Sequence, residues 1–349
     1  MIICAVKLYI INVGKGQREI FSAIVSVLGG VATFVYGLKL LGEGTEKLVG
    51  YKLKKFVAGC VKRPFGGFLA GASVAALTQS SAAVTMVAVG LAESKAITFL
   101  QSAPVIMGAN VGTTVTAQFI AIFGRGGEYR VAVGAISIAV GVVCCFIGKK
   151  SVKTVGELFV GFGLTISGLT ALSGRIDTLK RLSFLRVFGS VENPFLLFLT
   201  GIVVAAVTQS SSAITGILIT FSGNSITAFY KAIFIILGSN VGSCFAVILS
   251  SADKSLPAKK AAVFNLVFNL FGAIVFFPAL IALKNVLPVI FPHAATDAGR
   301  AMADFHTLFN LAASLLAFPL LKPLAAVTDK LSCGKIYKKK KNRVKNACI

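Results

Sequence analysis

Residues 67–92 read GFLAGASVAALTQSSAAVTMVAVGLA, so that a glutamine and two serines stand in the middle of a stretch that is otherwise nearly all apolar. TQSSSA at 208–213 stands in an equally apolar setting. The apolar arms on either side of the first motif, 67–77 and 82–92, would each be about 16 Å long as helices, at 1.5 Å per residue. That is about half of a 30 Å bilayer core. Residues 67–92 therefore form either one spanning helix with a polar belt at its centre or a re-entrant hairpin that turns at TQSS. The hairpin has a physical advantage. Its tip frees N–H groups and hydroxyls from the helical ladder, which is tolerated at membrane depth only against protein or a wet cavity. An anion in that cavity would meet the first N–H groups and the positive end of the second arm.

The rest of the chain agrees with a membrane setting. Of its 349 residues 56% are hydrophobic and only 13% charged, against about 25% charged in soluble domains. Apolar runs recur at 21–42, 131–148, 226–250 and 263–283, near the length a spanning helix needs. A soluble core would instead need many buried helices with almost no amphipathic period. The formal net charge is +23. That charge lies between apolar runs and in the tail KLSCGKIYKKKKNRVKNACI, where anionic lipid and the positive-inside rule account for it without nucleic acid. The tail places the C-terminus in the cytoplasm, and the localisation expected is a bacterial cytoplasmic (inner) membrane. Seven cysteines show no CxxC spacing, so neither a zinc site nor a disulfide framework is expected.

The two QSS segments lie 130 residues apart, and the offset holds well beyond them. About 20 of 53 positions are identical between 64–116 and 194–246 without a gap. Pro64-Phe65 matches Pro194-Phe195, and GANVGTT at 108–114 matches GSNVGSC at 238–244. GGVATFVYGLKLLG (29–42) resembles VGFGLTISGLTALS (160–173) at offset 131. The chain is a duplication, the ground plan of many secondary transporters, with a binding site expected at the repeat interface. The domains expected are a leader or extra helix over 1–20, repeat 1 over 21–150, repeat 2 over 151–280, a C-terminal transmembrane helix region over 281–328 and the basic cytoplasmic tail over 329–349. A smaller echo relates FNLVFNLFGAIVFFP (264–278) to FHTLFNLAASLLAFP (305–319) at offset 41. Its asparagines are expected to pack or cap helices.

In GANVGTT, Gly108 and Gly112 are expected to weaken the helix and allow an unwound turn. Exposed carbonyls, the Asn110 amide oxygen and the Thr113 and Thr114 hydroxyls then form a hard-oxygen cage suited to a small cation such as sodium. GSNVGSC offers the same with Asn240 and Ser243. An enzyme is not expected. Serine chemistry needs a base within hydrogen-bond reach, and neither His293 nor His306 has a partner by spacing. His306 reads as a packing or capping residue.

The doubled motif pair resembles the type II sodium-dependent phosphate cotransporters in their bacterial form, over about residues 28–330. The resemblance implies an all-α polytopic membrane protein with two inverted repeats. Each repeat would contain a re-entrant helical hairpin and a broken transmembrane helix, with additional C-terminal helices. It implies phosphate bound between the tips by Ser80, Ser81, Ser210, Ser211 and Ser212. Sodium, a co-substrate and not a cofactor, would be held by Gln79, Gln209, Asn110, Asn240, Thr113, Thr114 and Ser243. The function implied is secondary transport coupling sodium influx to inorganic phosphate. The alternatives are phosphate export, another small oxyanion or an anion channel. Ala82 replaces a serine of the first motif, and Ser243-Cys244 replaces two threonines, so one sodium site is expected to be altered or lost. Many bacterial members carry a C-terminal PhoU-like domain, which is not expected after this basic tail.

Overall fold

A computed structural model describes residues 15–123, 129–147, 149–173, 191–222 and 225–333, and all regular structure among them is helical. The expected leader up to residue 14 and the basic tail from 334 onward lie outside the described residues. In chain order the helices are α1 (Lys15–Cys60), α2 (Pro64–Thr78), α3 (Ser81–Glu93), α4 (Phe99–Gly112), α5 (Thr114–Phe123), α6 (Tyr129–Phe146) and α7 (Lys150–Ser173). They continue with α8 (Pro194–Thr208), α9 (Ser211–Phe221), α10 (Ile226–Ser250), α11 (Leu256–Ala282), α12 (Leu287–Ile290), α13 (Ala298–Ala317) and α14 (Leu321–Cys333). Pro64 and Pro194 begin α2 and α8, the position where a missing N–H costs nothing. Thr98 and Gln101 close a capping box on α4, and Ser225 and Asp297 cap α10 and α13.

Six of the described helices or helix runs are long and apolar enough to cross a membrane, and a seventh span results if α13 and α14, bent by 90°, count as one. The protein is an integral membrane protein. Helices α2, α3, α8 and α9 are apolar but have only 15, 13, 15 and 11 residues, too few to cross a core of about 30 Å.

The chain divides into two compact units, and each draws on both halves of the duplication. One comprises Met1–Leu41 and Ile122–Asn193. In it α7 packs on α1 and α6 through small residues, as membrane helices do when their backbones approach closely. Gly37 of α1 lies against Gly161 and Thr165 of α7, and Gly168 of α7 lies against Gly30 and Phe34 of α1. Replacing each residue by its counterpart 131 positions away turns the first contact into the second. The pair is thus self-complementary, in the manner of a two-fold contact.

The other unit comprises Gly42–Ala121 and Pro194–Ile349. Here α2 packs along α4, and α8 along α10, each at the limit of backbone approach. A Cβ on Gly108 would collide with the carbonyl oxygen of Phe68, and one on Gly238 with that of Phe198. Gly71 and Gly112, with Gly201 and Gly242, repeat the arrangement. The half-length helix α3 lies on α4 and α11, while α9 lies on α10 and α13.

These contacts correct one expectation. The glycines of GANVGTT and GSNVGSC do not unwind their helices. Helix α10 is continuous from Ile226 to Ser250. Between α4 and α5, Thr113 keeps helical dihedrals (φ −64°, ψ −18°), and its N–H still donates to Ala109 O at 3.1 Å. Glycine permits a break but also permits contact, and the carbonyls of α2 and α8 occupy the space a side chain would need.

Candidate functional site

The two QSS turns, both in the second unit, share a left-handed glutamine and an N-capping serine. Gln79 ends α2 in the left-handed region (φ 53°, ψ 24°), and Gln209 ends α8 with φ 57°. A left-handed residue after a helix is normally glycine or asparagine; a longer side chain there costs about 1 kcal/mol. Glutamine stands there twice, so its side chain is what the position keeps. Gln79 is half-buried, and its Oε1 is buried with no hydrogen-bond partner; Gln209 is exposed.

The following serines are N-caps. Ser80 (φ −144°, ψ 108°) accepts from Ala83 N at 3.1 Å, and Ser210 (φ −148°, ψ 110°) accepts from Ala213 N at 3.1 Å. Each cap satisfies one first-turn donor and leaves the serine's own hydrogen free to donate. The first two N–H groups of α3 and α9 have no intrahelical acceptor and carry the positive ends of their helix dipoles. Free donors at the positive end of a helix are what an anion can use. The sequence-stretch 67–92 is thus a helix, a two-residue turn and a second helix, and 194–221 repeats it.

Ser211 and Ser212 are buried at the start of α9. Ser212 Oγ meets Thr113 Oγ1 at 3.0 Å, a buried hydroxyl pair that joins the GANVGTT motif of one half to the QSSSA motif of the other. Asn110 Nδ2 donates to Ile106 O at 2.9 Å and to Asn265 Oδ1 at 3.4 Å. Asn240 Nδ2 donates to Asn310 Oδ1 at 3.2 Å. Thr114 and Ser243 turn their hydroxyl hydrogens to carbonyls of their own helices, Val111 O at 2.7 Å and Asn240 O at 3.0 Å. Their oxygens keep lone pairs for a cation. Ser81 is half-buried on the first turn of α3.

Three features lay beyond the motif reading. The asparagines of the 41-residue echo pack, as expected, but their amides join the cluster around Asn110 and Asn240. Asn269 Nδ2 contacts Asn265 O at 2.8 Å and Asn265 Oδ1 at 3.2 Å, while its Oδ1 is buried without a partner. The signal was present in the repeated Phe-Asn doublets, but nothing local says which helix they face. The second feature is Asp304 on α13, which accepts from Gln118 Nε2 at 3.0 Å and Arg300 Nε at 3.4 Å and meets His293 Nε2 at 3.1 Å. His293 therefore has a partner 11 residues on, contrary to the expectation from spacing. The third is His306, completely buried with neither ring nitrogen hydrogen-bonded. Among the described residues no three His, Cys, Asp or Glu side chains cluster to hold a metal ion.

Residues 33–174 and 178–310 match the Na+/Pi-cotransporter family. Relatives are similar over long stretches. YqeW of Bacillus subtilis strain 168, itself uncharacterized, is 27% identical over 300 residues, 85% of this chain and 94% of that protein. YjbB of Escherichia coli K12, named provisionally for inorganic phosphate export, is 24% identical over 307 residues. That alignment covers 86% of this chain and 54% of YjbB, so the chain spans about half the length of that relative. The human sodium-dependent phosphate transport protein 2B is 29% identical over 119 residues, 33% of this chain and 17% of that protein. No solved structure matches. The chain belongs to the Na+/Pi-cotransporter family, a family of transporters rather than enzymes.

Proposed function

We propose that this member of the Na+/Pi-cotransporter family carries inorganic phosphate across the bacterial cytoplasmic membrane together with sodium, at one site built from both QSS turns. The observation that carries the reading is the buried Thr113–Ser212 hydroxyl pair, which joins the GANVGTT motif of the first half to the second of two identically capped QSS turns. Ser80, Ser81, Ser210, Ser211 and Ser212, with the free N–H groups of α3 and α9, bind the anion. Gln79, Gln209, Asn110, Asn240, Thr113, Thr114 and Ser243 supply oxygens to sodium.

Electrostatics gives the reason for coupling. Neither hairpin, 64–93 or 194–222, contains Lys or Arg. An uncompensated divalent anion in an apolar bundle is very costly. Bound sodium and two helix dipoles are the compensation at hand, so anion and cation travel together. Residues 21–150 and 151–280 act as inverted repeats, 281–328 completes the bundle, and one repeat moves against the other to alternate access. The self-complementary α1–α7 contact supports that reading. The basic tail faces the cytoplasm and its anionic lipid.

The test is radiolabelled phosphate uptake into proteoliposomes under an inward sodium gradient and with potassium in its place. Uptake with sodium alone is expected. Equal uptake in both would make the protein a uniporter or channel. The name of YjbB favours a second reading, in which the physiological direction is export; faster efflux from preloaded vesicles than uptake at equal gradients would select it.

A further inference from the structure

His306 sits one helical turn before Asn310 on α13, fully buried, with both ring nitrogens unpartnered. A neutral imidazole has one N–H donor and one acceptor nitrogen. Leaving both unmet at membrane depth is costly, and a leucine or phenylalanine would fill the space without that cost. The ring is also well placed. Asn310 Nδ2 donates to His306 O at 2.8 Å, and Asn310 Oδ1 accepts from Asn240 Nδ2 at 3.2 Å. Residues four apart share a helix face, so the imidazole lies one turn along from the Asn240–Asn310 pair. Helix α13 packs on α10, which carries Asn240, and on α9, the half-helix that begins at the second QSS turn. The 41-residue echo aligns His306 with Asn265, whose side chain meets Asn110, the counterpart of Asn240. One copy of the echo puts an amide in the polar cluster at this register; the other carries an unpartnered, buried imidazole at the matching position.

We propose that His306 is a specificity-determining ligand of the transported oxyanion, its N–H donating to an anionic oxygen and its other nitrogen accepting from a protonated oxygen of the same ion. The inference rests on the transport reading above and adds the cargo's chemistry. Hydrogen phosphate and hydrogen arsenate offer an acceptor and a donor together. Sulfate at neutral pH offers only acceptors and would leave the second nitrogen unmet. A site that hydrogen-bonds a donor strongly rejects an analogue lacking it.

The experiment reconstitutes the full chain and measures phosphate uptake, competition by arsenate and sulfate, and thermal stability, for the wild type, His306→Leu and His306→Gln. Arsenate should compete with wild-type uptake and sulfate should not. His306→Leu should be at least as stable as the wild type, yet its KM for phosphate should rise roughly 10-fold or more, and sulfate should gain as a competitor by a similar factor. His306→Gln, which keeps a donor and an acceptor, should recover part of both. Wild-type KM and unchanged selectivity in His306→Leu would reduce His306 to a packing residue. Sulfate competing as well as arsenate against the wild type would overturn the proposal even if the leucine variant failed to fold. No phosphate uptake by the wild type would instead bring down the transport reading, and this inference with it.

Discussion

Gln79 and Gln209 take the same left-handed backbone, and Ser80 and Ser210 cap α3 and α9 through bonds of the same 3.1 Å length. The side chains around the two turns differ. Ser212 at the second turn meets Thr113, whereas its counterpart at the first turn is Ala82, which has no hydroxyl. The counterpart of Thr113 is Ser243, and its hydroxyl turns back to Asn240 O. The alanine at 82 thus removes one of two possible hydroxyl pairs while leaving the backbone symmetric. Capping and glycine contacts set the frame of each half, and side-chain changes that the frame tolerates set which hydroxyls meet.

The symmetric part should give the largest effects. Ser80→Ala and Ser210→Ala should each lower phosphate uptake roughly 100-fold, the scale of a lost charge-assisted hydrogen bond, with membrane insertion intact. Each also removes a helix cap worth about 1 kcal/mol. Normal uptake in either variant would break the equivalence of the turns. The asymmetric part comes next. Thr113→Val should raise the sodium concentration for half-maximal rate by about 10-fold, while Ser243→Ala should shift it by less than about 3-fold; equal shifts would erase the distinction. Ala82→Ser supplies the missing hydroxyl and should steepen the sodium dependence.

Smaller effects concern stability. Gly108→Ala and Gly238→Ala push a methyl into a facing carbonyl and should cost about 1–3 kcal/mol each, read as matching falls in thermal unfolding temperature in detergent. The smallest effect lies at Glu93, exposed at the end of α3. Its carboxylate accepts from the Ser255 hydroxyl and from Ser255 N (2.8 Å), at the start of α11. The bond from the Ser255 side chain, then that from its backbone, holds the Glu93 pKa below the usual glutamate value. A depressed carboxylate stabilises above its unfolded pKa of about 4.3. That contribution is lost as pH falls through the lower folded value. Wild-type stability should therefore drop slightly in that acid range relative to Glu93→Gln, and parallel pH curves would remove Glu93 from the account.

Much of this was legible in the sequence because the signal occurs twice. A Gln-Ser-Ser break centred in an apolar run, with half-length arms on either side, allows a spanning helix with a polar belt or a hairpin turn, and the structure has a capped turn at both places. The fate of the glycines was not legible. Gly238 without a side chain suits an unwound turn and a tight helix contact equally, and only the position of Phe198 O decides between them. Partners far apart in sequence were also hidden: Thr113 with Ser212, Asn110 with Asn265, and His293 with Asp304. The division of the chain at Leu41/Gly42 and Ala121/Ile122 falls inside α1 and α5, where no change of composition marks it.

Equilibrium binding of radiolabelled phosphate tests most directly the proposed single anion site shared by the two turns. The purified protein in sodium, with Ser80→Ala, Ser210→Ala and the double variant, should bind one phosphate per chain. Each single variant should weaken that one site, and the double variant should lose less than the sum of the two, as coupled residues do. Two phosphates per chain, with each single variant abolishing one and sparing the other, would contradict it.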